Sequence, residues 1–133
     1  MSGKRKISVF ILILLIVAWL LGYCVPFHGA WSTGRIIYQV DYDDVSFEEA
    51  LTEEEMTAVL RILRRNRTKI PIGYTSACMW DWGVAIVIDD VRYMLATDDC
   101  GTIFVGNWGL IDISAEERAV LEAVFTSRGA TFP

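Results

Sequence analysis

An α+β domain behind a single membrane-spanning helix is the fold class that three features of this sequence predict. The first is a 19-residue run without a charge, Ile7 to Val25 (ISVFILILLIVAWLLGYCV), directly behind Lys4-Arg5-Lys6. The second is a pair of segments with helix caps and apolar residues at helical spacing, one early and one at the end of the chain. The third is a set of short β-forming runs between them, separated by Asp, Asn and Gly. Together they give a two-layer domain ordered β-α-β-β-β-β-α. About four or five antiparallel strands are covered on one face by two amphipathic helices.

The apolar run rises about 28 Å as a helix, close to the roughly 30 Å of a bilayer core. Its basic flank places residues 1–6 as a cytoplasmic stub, 7–25 as a signal-anchor and 26–133 outside. Trp19, Tyr23, Phe27 and Trp31 crowd the outer end, where amphipathic rings favour the headgroup layer. A cleaved signal peptide is the main competitor, but His28-Gly29-Ala30 is a poor cleavage site because His28 is bulky. Lipidation at Cys24 is disfavoured by Tyr23 before it. The length of the run and its three leading cations argue against a buried core helix.

Residues 26–34 (PFHGAWSTG) form a linker, which leaves residues 35–133 as the outer domain. Arg35 to Tyr42 is β-rich and makes the first strand. Ser46 and Glu49 suggest a capped short turn. Thr52 caps the first helix with Glu55 three residues on. Met56, Val59, Leu60 and Leu63 form its apolar stripe. Tyr74 to Trp80 is a strand and Trp82-Gly83 a turn. Val84 to Ile88 (VAIVI) is apolar throughout and belongs at the sheet's centre. Asp89-Asp90 is a two-residue hairpin turn, from which Val91 to Ala96 returns. Thr97 to Gly101 is a loop, and Thr102–Val105 and Leu110–Ile113 are further strands. Ser114 and Glu117 box the last helix, whose stripe is Val120, Leu121, Val124 and Phe125, and Gly129 ends it.

Charge and cysteines bound the function. Residues after the apolar run carry nine basic and 17 acidic side chains, a net −8, which repels nucleic acid. Cys78 and Cys100 fall in the outer domain, where a disulfide persists. With Trp82-Gly83 and Asp89-Asp90 both turns, the intervening strand separates them by roughly 10 Å, so loop 97–101 has to fold back over it for a bridge. Two buried thiols are the alternative.

The acidic groups Asp41, Asp43 and Asp44, Asp89-Asp90 and Asp98-Asp99 are explained by turn chemistry and do not make a calcium loop. Trp80, Trp82 and Trp108 are candidate binding residues: grouped indoles at loop tips make a platform, although they also close small cores well. Arg61 to Lys69 is a solvated helix end or a contact for anionic lipid or an acidic partner.

No motif requires a cofactor, and none marks a catalytic set. The sequence therefore points to a membrane-anchored outer domain that binds another envelope protein, a peptide or a glycan, inhibitor and immunity roles included. The bilayer is engaged through residues 7–25. A small extracytoplasmic enzyme using Asp98, Asp99 or Cys100 is the second reading. A structural subunit packing its apolar helix in the bilayer is the third.

Overall fold

The computed structural model describes residues 3–18, 28–69, 78–106 and 109–132. The described residues form an α+β fold, with a six-stranded, wholly antiparallel sheet and three helices. The first helix, α1 (Gly3–Ala18), buries none of its residues. Strands β1 (Gly34–Tyr38) and β2 (Phe47–Ala50) follow, then α2 (Glu53–Arg65). The chain continues through β3 (Trp80–Ile88), β4 (Val91–Ala96), β5 (Thr102–Val105), β6 (Gly109–Asp112) and α3 (Ala115–Thr126). Spatial order in the sheet is β2-β1-β3-β4-β5-β6. Lys69 adds one antiparallel bridge to Leu110 beyond β6. Among the described residues no helix is long and apolar enough to cross a membrane. Residues 19–25 of the apolar run lie outside the described residues.

Alternation along the strands decides what each face buries. Ile36 and Tyr38 of β1, Val84, Ile86 and Ile88 of β3, and Tyr93 and Leu95 of β4 join one core with Val59, Leu60 and Ile62 of α2. Leu121, Val124 and Phe125 of α3 complete it. The other face of β3, carrying Ala85 and Val87, is buried as well, so this strand is covered on both sides and sits inside the sheet as its sequence requires.

Both capping boxes form. The Thr52 side chain accepts from the Glu55 amide and Glu55 returns the bond, and Ser114 and Glu117 do the same. Asp89 and Asp90 take φ of 49° and 66°, the left-handed pair that a two-residue hairpin needs. Gly129 has φ +95° where α3 ends.

Four expectations are corrected. The sheet has six strands, because β2 occupies the place expected for a short turn. FEEA has weak β propensity, but Phe47 stacks on Tyr38 with ring centroids 5.5 Å apart. Both glutamates of this edge strand are exposed, and charge there discourages further pairing. Trp82-Gly83 is not a turn but the interior of β3, where the β3–β4 register shifts between Trp80 and Ala85. Gly83 is needed there because a Cβ would overlap the Gln39 carbonyl.

The α3 stripe is also different. Val120 is 44% exposed, and Arg118 is buried in its place. Finally, the outer domain begins before residue 35: His28 is buried and β1 starts at Gly34, so part of the expected linker is packed structure. Of the strand expected over residues 74–80, only Trp80 is in β3, and residues 74–77 lie outside the described residues.

The two covering helices run antiparallel and are tied at both ends. Asn66 at the end of α2 donates to Glu117 at the start of α3 at 2.8 Å. At the other end Arg128 donates to both oxygens of Glu55, at 2.6 and 2.7 Å, and to Glu49 of β2 at 2.7 Å. Arg128 beside it holds the Glu55 carboxyl down at about 2, against an ordinary 4.5. A depressed carboxyl stabilises the fold fully above its unfolded value, and that contribution disappears as pH falls from about 4.5 towards 2. Denaturant unfolding measured from pH 7 down to 2 should therefore show Glu55→Gln losing stability at neutral pH, with a visibly flatter acid limb than the wild type. Parallel acid limbs would place the acid sensitivity elsewhere.

Candidate functional site

The clearest polar assembly lies where the chain enters the domain. His28 is 7% exposed, and both ring nitrogens are paired. Nδ1 lies 3.0 Å from Asp89 Oδ2, and Nε2 lies 2.7 Å from the Tyr93 hydroxyl. Asp89 is positioned by the hairpin turn and Tyr93 by β4, so the β3–β4 hairpin carries both partners.

Asp89 also accepts from Ser32 Oγ at 2.5 Å and from the Thr33 amide at 3.2 Å. The Ser32 hydroxyl, with His28 second, lowers the Asp89 carboxyl below its ordinary range. Burial, with the Asp89 charge second, pushes the Tyr93 hydroxyl well above the ordinary tyrosine value. Tyr93 thus keeps its proton. In a neutral ring, Tyr93 O–H donates to Nε2 and Nδ1–H donates to Asp89. The His28–Tyr93 bond is buried, while Asp89 and its bonds to Ser32 and Thr33 lie at the surface, and each ring nitrogen of His28 is satisfied.

A cavity of about 420 Å³ opens beside it. Its floor is His28 and Tyr93, its wall includes Leu60, Leu63 and Ile111, and its rim carries Arg64, Arg65 and Arg67. Arg64 Nη2 donates to the His28 carbonyl at 2.9 Å, tying the end of α2 to the entering chain. The basic run noted in the sequence therefore sits at a cavity mouth rather than only at a solvated helix end.

The expected site residues separate. Trp80 is half-buried, packs at a tilt of 50° on Phe104 with centroids 5.4 Å apart and donates Nε1–H to the Thr102 carbonyl at 2.9 Å. Trp82 is 63% exposed, with the Arg92 guanidinium 4.2 Å above its ring. Both indoles meet side chains of the sheet face away from the helices. Trp108 lies outside the described residues.

Cys78 and Cys100 stand at disulfide distance, with Cα atoms 5.6 Å apart. No strand intervenes, contrary to the expected geometry, because continuous β3 pairs directly with β4. The two cysteines close the open end of that hairpin, where the Thr97 amide donates to the Met79 carbonyl at 2.7 Å.

Asp98 accepts from the amides of Met79 and Cys100, and Asp99 is exposed. Buried Arg118 holds the loop from behind. It donates to the carbonyls of Ala96 at 2.7 Å and of Asp98 and Cys100 at 2.5 Å. Among the described residues, no group of three or more His, Cys, Asp or Glu is placed to hold a metal ion.

His28 and Arg118 were the residues hardest to find in advance. Asp89 is 61 residues from His28, and no local pattern links them. Arg118 did leave a signal, since it stands three and seven residues before Leu121 and Phe125, on the buried side of the helix.

No protein-family model, curated protein or solved structure matches this chain. The function therefore rests on its own geometry.

A bridge between Cys78 and Cys100 closes a loop of 22 residues, worth about 3 kcal/mol in the chain-entropy account. Alkylation of protein isolated without reductant should leave both thiols blocked until a reductant is added, and reduction should lower the unfolding midpoint. Two thiols that react on unfolding without reduction would mean that the pair is not bridged.

Proposed function

We propose that this protein is a single-pass, membrane-anchored domain that faces away from the cytoplasm and acts by binding a partner at the membrane surface: an envelope protein, a peptide or a glycan. The observation that carries the reading is α1. Its apolar side chains have no cover within the molecule; Ile7 is 60% exposed and Phe10 and Leu15 are each 62% exposed. A continuous apolar surface of this kind marks an interaction with lipid or protein. Lys4-Arg5-Lys6 at its start favours a cytoplasmic N-terminus. Extended over the full uncharged run 7–25, the helix has the length of a bilayer core. Trp31, 75% exposed just past His28, suits the headgroup layer. The cysteine pair suits an oxidising compartment.

Binding is favoured over catalysis by what the reactive candidates are already doing. Asp98 caps two backbone amides, Cys100 faces Cys78, and the His28 ring is occupied on both sides. Trp82, exposed and flanked by Arg92, is the best-placed hot-spot residue for a partner. The full chain should remain in the membrane pellet after alkaline carbonate extraction. Trp82→Ala should reduce partner capture in native-membrane crosslinking several-fold without moving the unfolding midpoint. Release of the intact chain by carbonate would reject the anchor. Unchanged capture in Trp82→Ala, together with a turnover abolished by Asp98→Asn or Asp99→Asn, would replace the binding reading with the enzyme.

A further inference from the structure

The cavity floored by His28 and Tyr93 has an unusual combination of walls. Its inside is largely apolar, through Leu60, Leu63 and Ile111, while three guanidinium-bearing residues, Arg64, Arg65 and Arg67, stand at its rim. The charges run against the trend of the domain. Residues after the apolar run carry net −8, yet four of their nine basic side chains lie within positions 64–69. A cation cluster at the mouth of an apolar cavity is complementary to an amphiphile with an anionic head.

Chain connectivity favours a lipid as the source of that amphiphile. His28 lies three residues beyond Val25, the last residue of the uncharged run. Three residues of chain span at most about 11 Å. His28 is itself fixed in the cavity floor by Asp89, Tyr93 and Arg64. If the run spans the bilayer, the cavity is therefore held near headgroup level, and this is the clause in which the inference rests on the anchor proposed above. Arginine suits the task, because its planar fork can pair two phosphate oxygens at once.

We infer that this cavity is a binding site for an anionic phospholipid, with the phosphodiester at the arginine rim and the start of an acyl chain against Leu60, Leu63 and Ile111. The site makes the lipid a ligand of the folded domain, in addition to any solvation of the apolar helix. It also fixes which side of the domain faces the membrane.

The test uses the full chain in neutral detergent micelles, titrated separately with short-chain (dihexanoyl) phosphatidylglycerol, the matching phosphatidylcholine and inorganic phosphate. Backbone amide NMR shifts around Tyr93 and Ile111 report occupancy. Phosphatidylglycerol should bind saturably, and Arg65→Gln/Arg67→Gln should weaken it roughly tenfold or more while the amide spectrum of the unliganded variant keeps the dispersion of the folded domain. Added salt should weaken the wild type further. Equal binding of the two lipids, or an unaffected double variant, would overturn the site. Inorganic phosphate bound as tightly as phosphatidylglycerol would overturn its lipid character. Carbonate extraction decides the anchor separately: a chain released by carbonate that still binds phosphatidylglycerol in micelles would support the site while removing the anchor.

Discussion

Burying His28 obliges both of its ring nitrogens to find partners, and the partners it finds hold the entering chain against the β3–β4 hairpin. An imidazole left unpaired in this position would cost on the order of 1–3 kcal/mol. The pairing has wide consequences. It draws Ser32 and Thr33 onto Asp89, which leads the backbone into β1 beside β3 in the register Gly34 to Ile88. It places the His28 carbonyl where Arg64 can close over it, and so shapes the cavity at the end of α2. From His28 onward, the segment expected to be a linker is packed structure of the domain.

Buried Arg118 and half-buried Arg128 complete the frame by the same rule. Arg118 collects three carbonyls from the loop between β4 and β5, and a salt bridge to Glu122 at 2.8 Å occupies its remaining nitrogen. Arg128 joins α2, α3 and β2 through two glutamates. Each site connects elements far apart in sequence; Arg118 and the Arg128–Glu55 pair are shielded from solvent, whereas Glu49, 56% exposed, makes the weaker, screened contact. The apolar core supplies the driving force for the fold, while these groups determine how its edges are finished.

What was legible in the sequence follows the range of the interaction responsible. The starts of both helices could be placed to the residue from Thr52/Glu55 and Ser114/Glu117, because a capping box closes within three residues. The Asp89-Asp90 hairpin and the central position of VAIVI were legible for the same reason. Gly83 carried a real signal with two meanings, turn or close approach, and only the Gln39 carbonyl selects the second. That ambiguity also misplaced the cysteines, since a turn at 82–83 would have put a strand between them. Strand β2 was hidden because its pairing with β1 and the Phe47–Tyr38 stack outweigh its glutamates. The His28 site was invisible because its partners lie 61 and 65 residues away. Of the three tryptophans singled out, Trp80 is committed to packing and Trp82 is presented to solvent, a distinction that spacing alone cannot make.

The central claim is that the apolar run separates two compartments, with the basic stub on one side and the folded domain on the other. The sequence contains a built-in test, since its only lysines are Lys4, Lys6 and Lys69. The Lys69 side chain is 61% exposed in the domain, while Lys4 and Lys6 precede the run. An amine-reactive, membrane-impermeant reagent applied to intact cells, followed by peptide mapping of the labelled lysines, reads the topology directly. The account predicts label on Lys69, with Lys4 and Lys6 labelled only after the membrane is permeabilised. Label on Lys4 and Lys6 with Lys69 protected, or all three labelled alike before permeabilisation, would contradict it.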